Sequence, residues 1–189
     1  VHVQDATELI VAVDMGTSVS GESIGRPLPT HDWAALLATH QAEYSRHCGG
    51  LDLDLPFPEP DMPTDERVRR VKAGEADPGL SLLYFRLGRY LLCAASARGE
   101  LPANLQGKWC EDLYPPWWSD LHHDINLQMN YWCAEPGHQQ QCMAAFFSHV
   151  EHFVEHGRKA ARDLYDCDGI YLPIHTDPWG RCTPESYGW

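Results

Sequence analysis

Residues 115–132 read PPWWSDLHHDINLQMNYW, a stretch rich in aromatic rings and hydrogen-bonding groups. It contains four tryptophans or tyrosines, two histidines, two aspartates and two asparagines. A plain core helix does not need this combination of side chains. The stretch therefore raises the question of what His122, His123, Asp124 and Asn126 are placed to hold.

Two interpretations of these residues are a metal site and a helix cap. A metal site needs ligands that converge, but the adjacent His122 and His123 diverge on a helix or a strand, and no third ligand follows four residues later. No metal is therefore predicted. In the second interpretation Asp124 caps a helix that begins near Asn126, because its carboxylate can accept from free amides of the first turn.

The third interpretation is a site for a polyol. His122, Asp124 and Asn126 alternate along the chain, so in an extended loop their side chains lie on one side. Together they supply the donors and acceptors that vicinal hydroxyls require. A carboxylate among them can also orient or deprotonate a water. The residues alone do not decide between this role and the cap.

The composition narrows the class of ligand. The net charge of −13 and the pI near 5.1 argue against a nucleic-acid partner, which needs a basic face. No apolar run of 18 residues indicates a membrane span. The seven cysteines show no CxxC pair, so small buried thiols are expected, one or two disulfides stay open, and the compartment is undetermined. A neutral sugar or polyol suits this chain, and no cofactor is implied.

Hydrophobic spacing predicts several helices. Apolar residues recur every three or four positions in residues 32–47, 79–97 and 139–165. A shorter helix is predicted from Thr64. Asp32 and Thr64 are the expected caps of their helices.

The remaining segments predict strands and loops. Residues 7–13, TELIVAV, are typical of a buried strand, and the alternating LDLDL of residues 51–55 of a half-exposed one. Four prolines in residues 56–63 indicate a linker. Residues 100–109 form a predicted loop, fixed by the side chains of Asn104 and Gln106. Three tryptophans are open between stacking on a sugar ring and packing in the core: Trp109, Trp117 and Trp118.

Three runs carry a resemblance to a known family. GRYLL at 88–92, SARGELPANLQGKW at 96–109 and PPWWSDLHHDINLQMNYW, followed by AEP, closely resemble glycoside hydrolase family 95. Those enzymes are inverting α-L-fucosidases, typically acting on 1,2-linked fucose, and some members favour α-L-galactosides. The resemblance implies hydrolysis of a terminal α-L-fucosyl or related residue in an oligosaccharide or glycan.

The resemblance also implies a mainly α fold with three parts. Residues 1–18 are expected to end a β-sandwich domain, residues 19–78 to form a linker region with a helix, and residues 79–189 to begin an (α/α)6 toroid. Such a toroid has twelve helices, so the chain is expected to be an internal segment that is inactive alone. Family analogy favours an extracytoplasmic or secreted location.

The family pattern assigns roles to residues of the opening stretch. Two asparagines that flank one residue hold the attacking water in the family, and Asp124 and Asn126 occupy their positions. His122 matches a histidine that contacts the sugar. The catalytic acid, a glutamate, and an aspartate that partners the water are expected downstream of this chain.

Asp124 departs from the family pattern. A carboxylate there could accept the proton of the water, crowd the downstream aspartate, or bind a different hydroxyl. Substrate contacts are also expected from Trp117, His175 and Asp177, although a structural loop role for the last two stays open. The alternative to an enzyme is a non-catalytic carbohydrate-binding or degenerate helical domain.

Overall fold

The chain folds mainly as helices. The computed structural model describes residues 4–7, 9, 11, 13, 32–57, 59–97 and 101–184. The helices are α1 (Trp33–Cys48), α2 (Thr64–Lys72), α3 (Pro78–Ser96), α4 (Asn126–Tyr131), α5 (Met143–His152) and α6 (Val154–Tyr165). The described strands are β1 (Leu121–His122) and β2 (His175–Thr176), and Pro116–Ser119 and Gln140–Cys142 form short turns of 3-10 type. The expectation of a mainly helical fold is confirmed.

The chain divides into two units, residues 1–46 and 47–189. In the first unit α1 begins as predicted, because the Asp32 carboxylate accepts from the amide of Ala34 at 2.9 Å. The strand predicted at residues 7–13 lies partly outside the described residues. The same holds for the predicted sandwich end at residues 1–18.

In the second unit the core forms between α3, α4 and the turn that precedes α5. Tyr131 of α4 is 4% exposed, and its hydroxyl is hydrogen-bonded both to the end of α3 and to the loop that follows α3. It lies 2.7 Å from the Ser96 hydroxyl at the end of α3 and accepts from the amide of Ala103 at 2.9 Å. Burial is the main cause that raises the pKa of Tyr131. The core residues are Cys48, Leu92, Cys93, Ala95, Ala103, Leu127, Tyr131, Ala134 and Cys142.

The loop after α3 is held as the sequence predicts. The Asn104 side chain accepts from the amides of Gln106 at 2.9 Å and Lys108 at 3.1 Å. Asn130 of α4 donates from its amide nitrogen to the Asn104 carbonyl at 3.1 Å. The segment around α4 therefore fixes the loop at residues 101–109 as well as the core.

Residues 51–55 do not form the predicted strand. Arginines of α3 bind this segment instead. Arg86 makes two hydrogen bonds of 2.8 Å to the Asp52 carboxylate, and this contact lowers the pKa of Asp52. Arg89 donates to the carbonyls of Leu51 and Cys48. Side chains thus satisfy carbonyls that a sheet partner would otherwise bind.

One predicted helix and one predicted cap are also wrong, although α2 begins at Thr64 as predicted. The single helix predicted over residues 139–165 is interrupted, because a 3-10 turn at Gln140–Cys142 precedes α5 and Phe153 separates α5 from α6. Thr64 lies inside α2 and Pro63 precedes it without a side-chain cap. The helix α3, for which no cap was predicted, is capped by Asp77, whose side chain accepts from the amide of Leu80 at 3.0 Å.

Among the described residues one disulfide is formed. It joins Cys48 at the end of α1 to Cys93 in α3, with Cα atoms 6.1 Å apart and a sequence separation of 45. The expectation of one or two bridges is consistent with it. Cys142 is a buried thiol, and burial raises its pKa to about 11.

The described helices include none that is both long and apolar enough to cross a membrane.

Tyr131→Phe is expected to lower the free energy of unfolding by about 1–2 kcal/mol, because it leaves the Ala103 amide and the Ser96 hydroxyl without their buried partner. Denaturant titration of the variant and the parent protein measures this. Tyr84→Phe is the matched control, since Tyr84 is 78% exposed and should stay within error of the parent. Equal stability of both variants would contradict the role of the hydroxyl.

Reducing the Cys48–Cys93 bridge is expected to lower the free energy of unfolding by about 3–4 kcal/mol, because the bridge closes a loop of 45 residues in the unfolded chain. Urea titration with and without a thiol reductant measures the change. A variant with Cys48→Ala and Cys93→Ala should unfold identically in both conditions. A parent protein that is fully reduced, as thiol counting shows, yet equally stable would contradict this expectation.

Candidate functional site

A short antiparallel pairing brings two distant segments together. Leu121 of β1 lies opposite Thr176 of β2, and His122 lies opposite His175. The pairing extends by one further bond, from the His123 amide to the Ile174 carbonyl at 2.8 Å. The two strands therefore place the opening stretch beside residues about fifty positions further along the chain.

The two adjacent histidines face opposite sides of β1, as predicted. His122 is partly buried, and its ring lies 4.6 Å from the ring of His175, measured between centroids. His123 is 8% exposed and packs beneath the strands, with its ring 5.8 Å from that of Phe153. Only His122 of this pair lines the cavity described below.

The backbone around Ile125 shows whether Asp124 caps the helix α4. Ile125 has φ 75° and ψ −30°, a conformation that β-branched residues rarely adopt. It precedes α4, which begins at Asn126 as predicted, and no side chain caps that helix. The capping role considered for Asp124 is therefore wrong. Asp124 and Asn126 both line the cavity, through a turn and not through the extended loop that their alternation suggested.

Trp117 forms an aromatic wall beside the histidines. It lies in the turn Pro116–Ser119, where Trp117, Trp118 and Ser119 all have φ between 53° and 56°. Three consecutive left-handed residues without glycine are strained. The Trp117 ring lies 5.6 Å from that of His122 and 6.1 Å from that of His175, with an interplanar angle of 23° to the latter. Trp118 is 76% exposed and does not line the cavity.

These side chains enclose a cavity of about 270 Å³. That volume is close to the lower end of the roughly 300–1,000 Å³ typical of ligand pockets. The residues that line it come from four separate segments: the loop after α3, the Trp117 turn, the segment from β1 to α4, and the segment that contains β2. The lining residues are Leu105, Trp117, His122, Asp124, Asn126, Ile174 and His175.

Asp177 is the one predicted site residue that the cavity lining does not include. Its carboxylate accepts from the amide of Trp179 at 2.7 Å and from the Arg181 side chain. Burial would raise the pKa of Asp177, but these hydrogen bonds outweigh it and hold the pKa below its usual range. Asp177 therefore shapes the loop that follows β2.

Asp120 is a residue of the site that the sequence prediction missed. Its Oδ2 accepts from Nδ1 of His122 at 3.3 Å and from Nδ1 of His175. One ligand atom from each of these three residues lies within 4.8 Å of the others, so the same group could hold a metal ion. Period-two spacing places Asp120 and His122 on one face of a strand, which was an available signal. His175 joins them only through the strand pairing.

Two buried histidines support the strands from below. The Thr176 hydroxyl donates to the Leu121 carbonyl and lies 3.1 Å from Nε2 of His149. The rings of His149 and His123 are 5.2 Å apart. Burial lowers the pKa of each to about 4, with a smaller lowering from the charge of His122 on His123 and of His123 on His149. Nε2 of His123 is buried without a hydrogen-bond partner in the described part of the chain.

Acidic pH is expected to lower the free energy of unfolding through these two buried histidines. Both rings are neutral in the folded state down to a pKa of about 4, whereas an unfolded histidine takes up a proton near pH 6.5. Stability should therefore fall as the pH drops from 6.5 towards 4, by up to about 1.4 kcal/mol per pH unit for each histidine. Urea titrations between pH 7 and 4.5 measure this slope.

The variants His123→Leu and His149→Gln should flatten that slope, each by removing one buried base. His40→Gln is the matched control, because His40 is exposed on α1. If His40→Gln and the two buried variants changed the slope equally, the buried rings would not be its source.

With this geometry described, the family can be stated. Residues 32–189 match the model of the glycosyl hydrolase family 95 catalytic domain, and the chain belongs to this family. It is 35% identical over 161 residues to alpha-L-fucosidase 2 of Arabidopsis thaliana, which covers 82% of this chain and 19% of that protein. It is 34% identical over 136 residues to probable alpha-fucosidase A of Aspergillus niger, covering 70% of this chain and 17% of the relative.

A third relative is probable alpha-fucosidase A of Aspergillus oryzae, with 33% identity over 135 residues. That match covers 69% of this chain and 19% of the relative. The chain thus spans about a fifth of the length of the curated relatives that it matches.

Proposed function

We propose that the protein carrying this chain hydrolyses terminal α-L-fucosyl residues, and that the cavity holds the sugar together with its attacking water. The observation that carries the proposal is the convergence of Trp117, His122, Asp124, Asn126 and His175 on one cavity. Family membership and relatives named as α-fucosidases support the same substrate class.

Asp124 and Asn126 are the pair proposed to hold the water. Both line the cavity, and the strained Ile125 lies between them. A carboxylate accepts a hydrogen bond from a water, and an amide both donates and accepts. The pair can therefore fix the orientation of one water relative to a bound sugar. The carboxylate of Asp124 is also able to take the proton as the water attacks.

The aliphatic part of the cavity favours fucose. L-Fucose is 6-deoxy-L-galactose, so it carries a methyl group where galactose carries a hydroxymethyl. Leu105 and Ile174 offer an apolar surface for that methyl, and the Trp117 ring offers a face for the CH groups of the pyranose. An added hydroxyl is rejected only modestly by an apolar wall, so some activity on α-L-galactosides is expected.

An inverting displacement needs a second carboxyl group on the far side of the sugar, roughly 6.5–9.5 Å from the base. Among the seven residues that line the cavity, Asp124 alone has a carboxylate. We therefore assign the general acid to a glutamate further along the reading frame, as the family resemblance implies. An aspartate that assists the water is assigned there too.

The helices are proposed to belong to an (α/α)6 toroid that follows a β-sandwich domain. The side chains along one part of α3 support this proposal. Leu83, Tyr84 and Leu87 are 37%, 78% and 46% exposed, which is an apolar surface suited to packing against further helices.

In the protein expressed from its complete reading frame, Asp124→Ala and Asn126→Ala are each expected to lower kcat for an α-L-fucoside by roughly 10²–10⁴-fold, because the attacking water loses a partner. Asp124→Asn recreates the family's amide pair and should keep kcat within about tenfold. Release of L-fucose and of L-galactose from matched α-glycosides measures both rate and preference.

Asp168→Ala is the matched control, since the Asp168 side chain is 92% exposed and lies outside the cavity. Near-parental kcat and KM in Asp124→Ala would overturn the role of Asp124. Binding of fucosides without hydrolysis in the parent protein would favour the non-catalytic carbohydrate-binding alternative.

A further inference from the structure

Asp120 lies behind the two histidines that line the cavity. One oxygen of its carboxylate, Oδ2, accepts from both Nδ1 atoms, that of His122 in β1, two residues further along, and that of His175 in the paired strand β2. The side chains are 13%, 12% and 23% exposed for Asp120, His122 and His175. Hydrogen bonds at such partly buried positions are more strongly orienting than at the open surface.

The backbone of Asp120 is itself fixed by two walls of the cavity. Its amide donates to the Trp117 carbonyl at 3.2 Å, and its carbonyl accepts from the amide of Leu105 at 3.1 Å. Asp120 thus joins the Trp117 turn, the loop after α3 and both strands. A shift of this residue would move the aromatic wall, the aliphatic wall and the two rings together.

The carboxylate also determines which nitrogen of each ring carries a proton. A carboxylate only accepts hydrogen bonds, so Nδ1 of His122 and Nδ1 of His175 must both donate. In a neutral ring the lone pair then lies on Nε2. A neutral ring of this tautomer accepts hydrogen bonds at Nε2, and both rings line the cavity.

We propose that Asp120 is a positioning residue that holds His122 and His175 in the Nδ1-protonated form, so that their Nε2 atoms accept from hydroxyls of the sugar. This inference rests on the proposed function for the identity of the ligand. Two acceptors side by side match vicinal hydroxyls that donate. Asn126, whose amide also donates, complements them on the same cavity wall.

A divalent cation is the competing occupant of the same three side chains. Their ligand atoms lie within 4.8 Å of one another. A cation bound to Nδ1 would displace the proton from each ring, whereas the proposed role requires that proton. The protonation of Nδ1 therefore separates the two assignments.

The test compares Asp120→Leu with Asp120→Asn in the protein expressed from its complete reading frame. Leucine removes the acceptor at similar size, and asparagine keeps one oxygen for the two Nδ1 donors. Asp120→Leu is expected to raise KM for an α-L-fucoside roughly 10- to 100-fold, with a smaller change in kcat. Asp120→Asn should stay within about tenfold of the parent kcat/KM. Circular dichroism and Tm establish that each variant is folded.

The second readout is the tautomer of each ring, from long-range ¹H–¹⁵N NMR of protein labelled at histidine. His122→Gln and His175→Gln assign the two signals. Both rings should show a protonated Nδ1 in the parent and in Asp120→Asn, and at least one should lose it in Asp120→Leu. This readout stands whether or not fucosides are hydrolysed, so failure of the proposed function is distinguishable from failure of the positioning role.

Three results would overturn the positioning role. The first is an Nε2-protonated ring at His122 or His175 in the parent protein. The second is a folded Asp120→Leu protein that keeps both rings protonated at Nδ1 and keeps the parent kcat/KM. A folded Asp120→Asn protein that loses both would count equally against the role. The third is a stoichiometric divalent cation in the purified parent that is lost in Asp120→Leu, which would assign the group to metal binding.

Discussion

The pairing of Leu121–His122 with His175–Thr176 is the contact on which the whole site depends. Two-residue strands have little stability of their own, so neighbouring groups must hold them. On the buried side the Thr176 hydroxyl bridges the Leu121 carbonyl and the ring of His149. On the cavity side Asp120 bridges His122 and His175. The buried side of the pairing is thus held by Thr176 and α5, and the cavity side by Asp120, which immediately precedes β1.

Strain is concentrated at the same place. Ile125 and the turn at Trp117 adopt left-handed backbone conformations that disfavour their side chains. Both lie next to residues that line the cavity. Ile125 immediately precedes α4, whose Leu127 and Tyr131 lie in the core, and burial of these side chains offsets the cost of its conformation. A backbone held away from its local minimum by a rigid core is a common way to aim polar groups at a ligand.

The elements that sequence predicted well are those with many local signals. Helix α3 repeats an apolar face over five turns, and α1 begins at an aspartate cap, so both were predicted within a residue or two. The strand predicted at residues 51–55 was wrong because Arg86 and Arg89 of α3 bind backbone carbonyls of this segment. The single helix predicted at residues 139–165 was wrong because apolar spacing continues through the interruption at Phe153. Periodicity does not record a local break in a helix.

For the site, the sequence by itself determined the chemistry that is present. The residue types at 117, 122, 124 and 126, their spacing and their resemblance to the family are properties of one continuous stretch. Only the tertiary structure decided which of them meet. His175 reaches His122 by strand pairing across more than fifty residues, and Asp120 becomes their common partner through that contact. Asp124 lines the cavity with Asn126 across the left-handed Ile125, whereas the carboxylate of Asp177 binds the amide of Trp179 in its own loop. Local spacing fixes which groups can share a face, but long-range backbone hydrogen bonds and packing decide which faces are opposed.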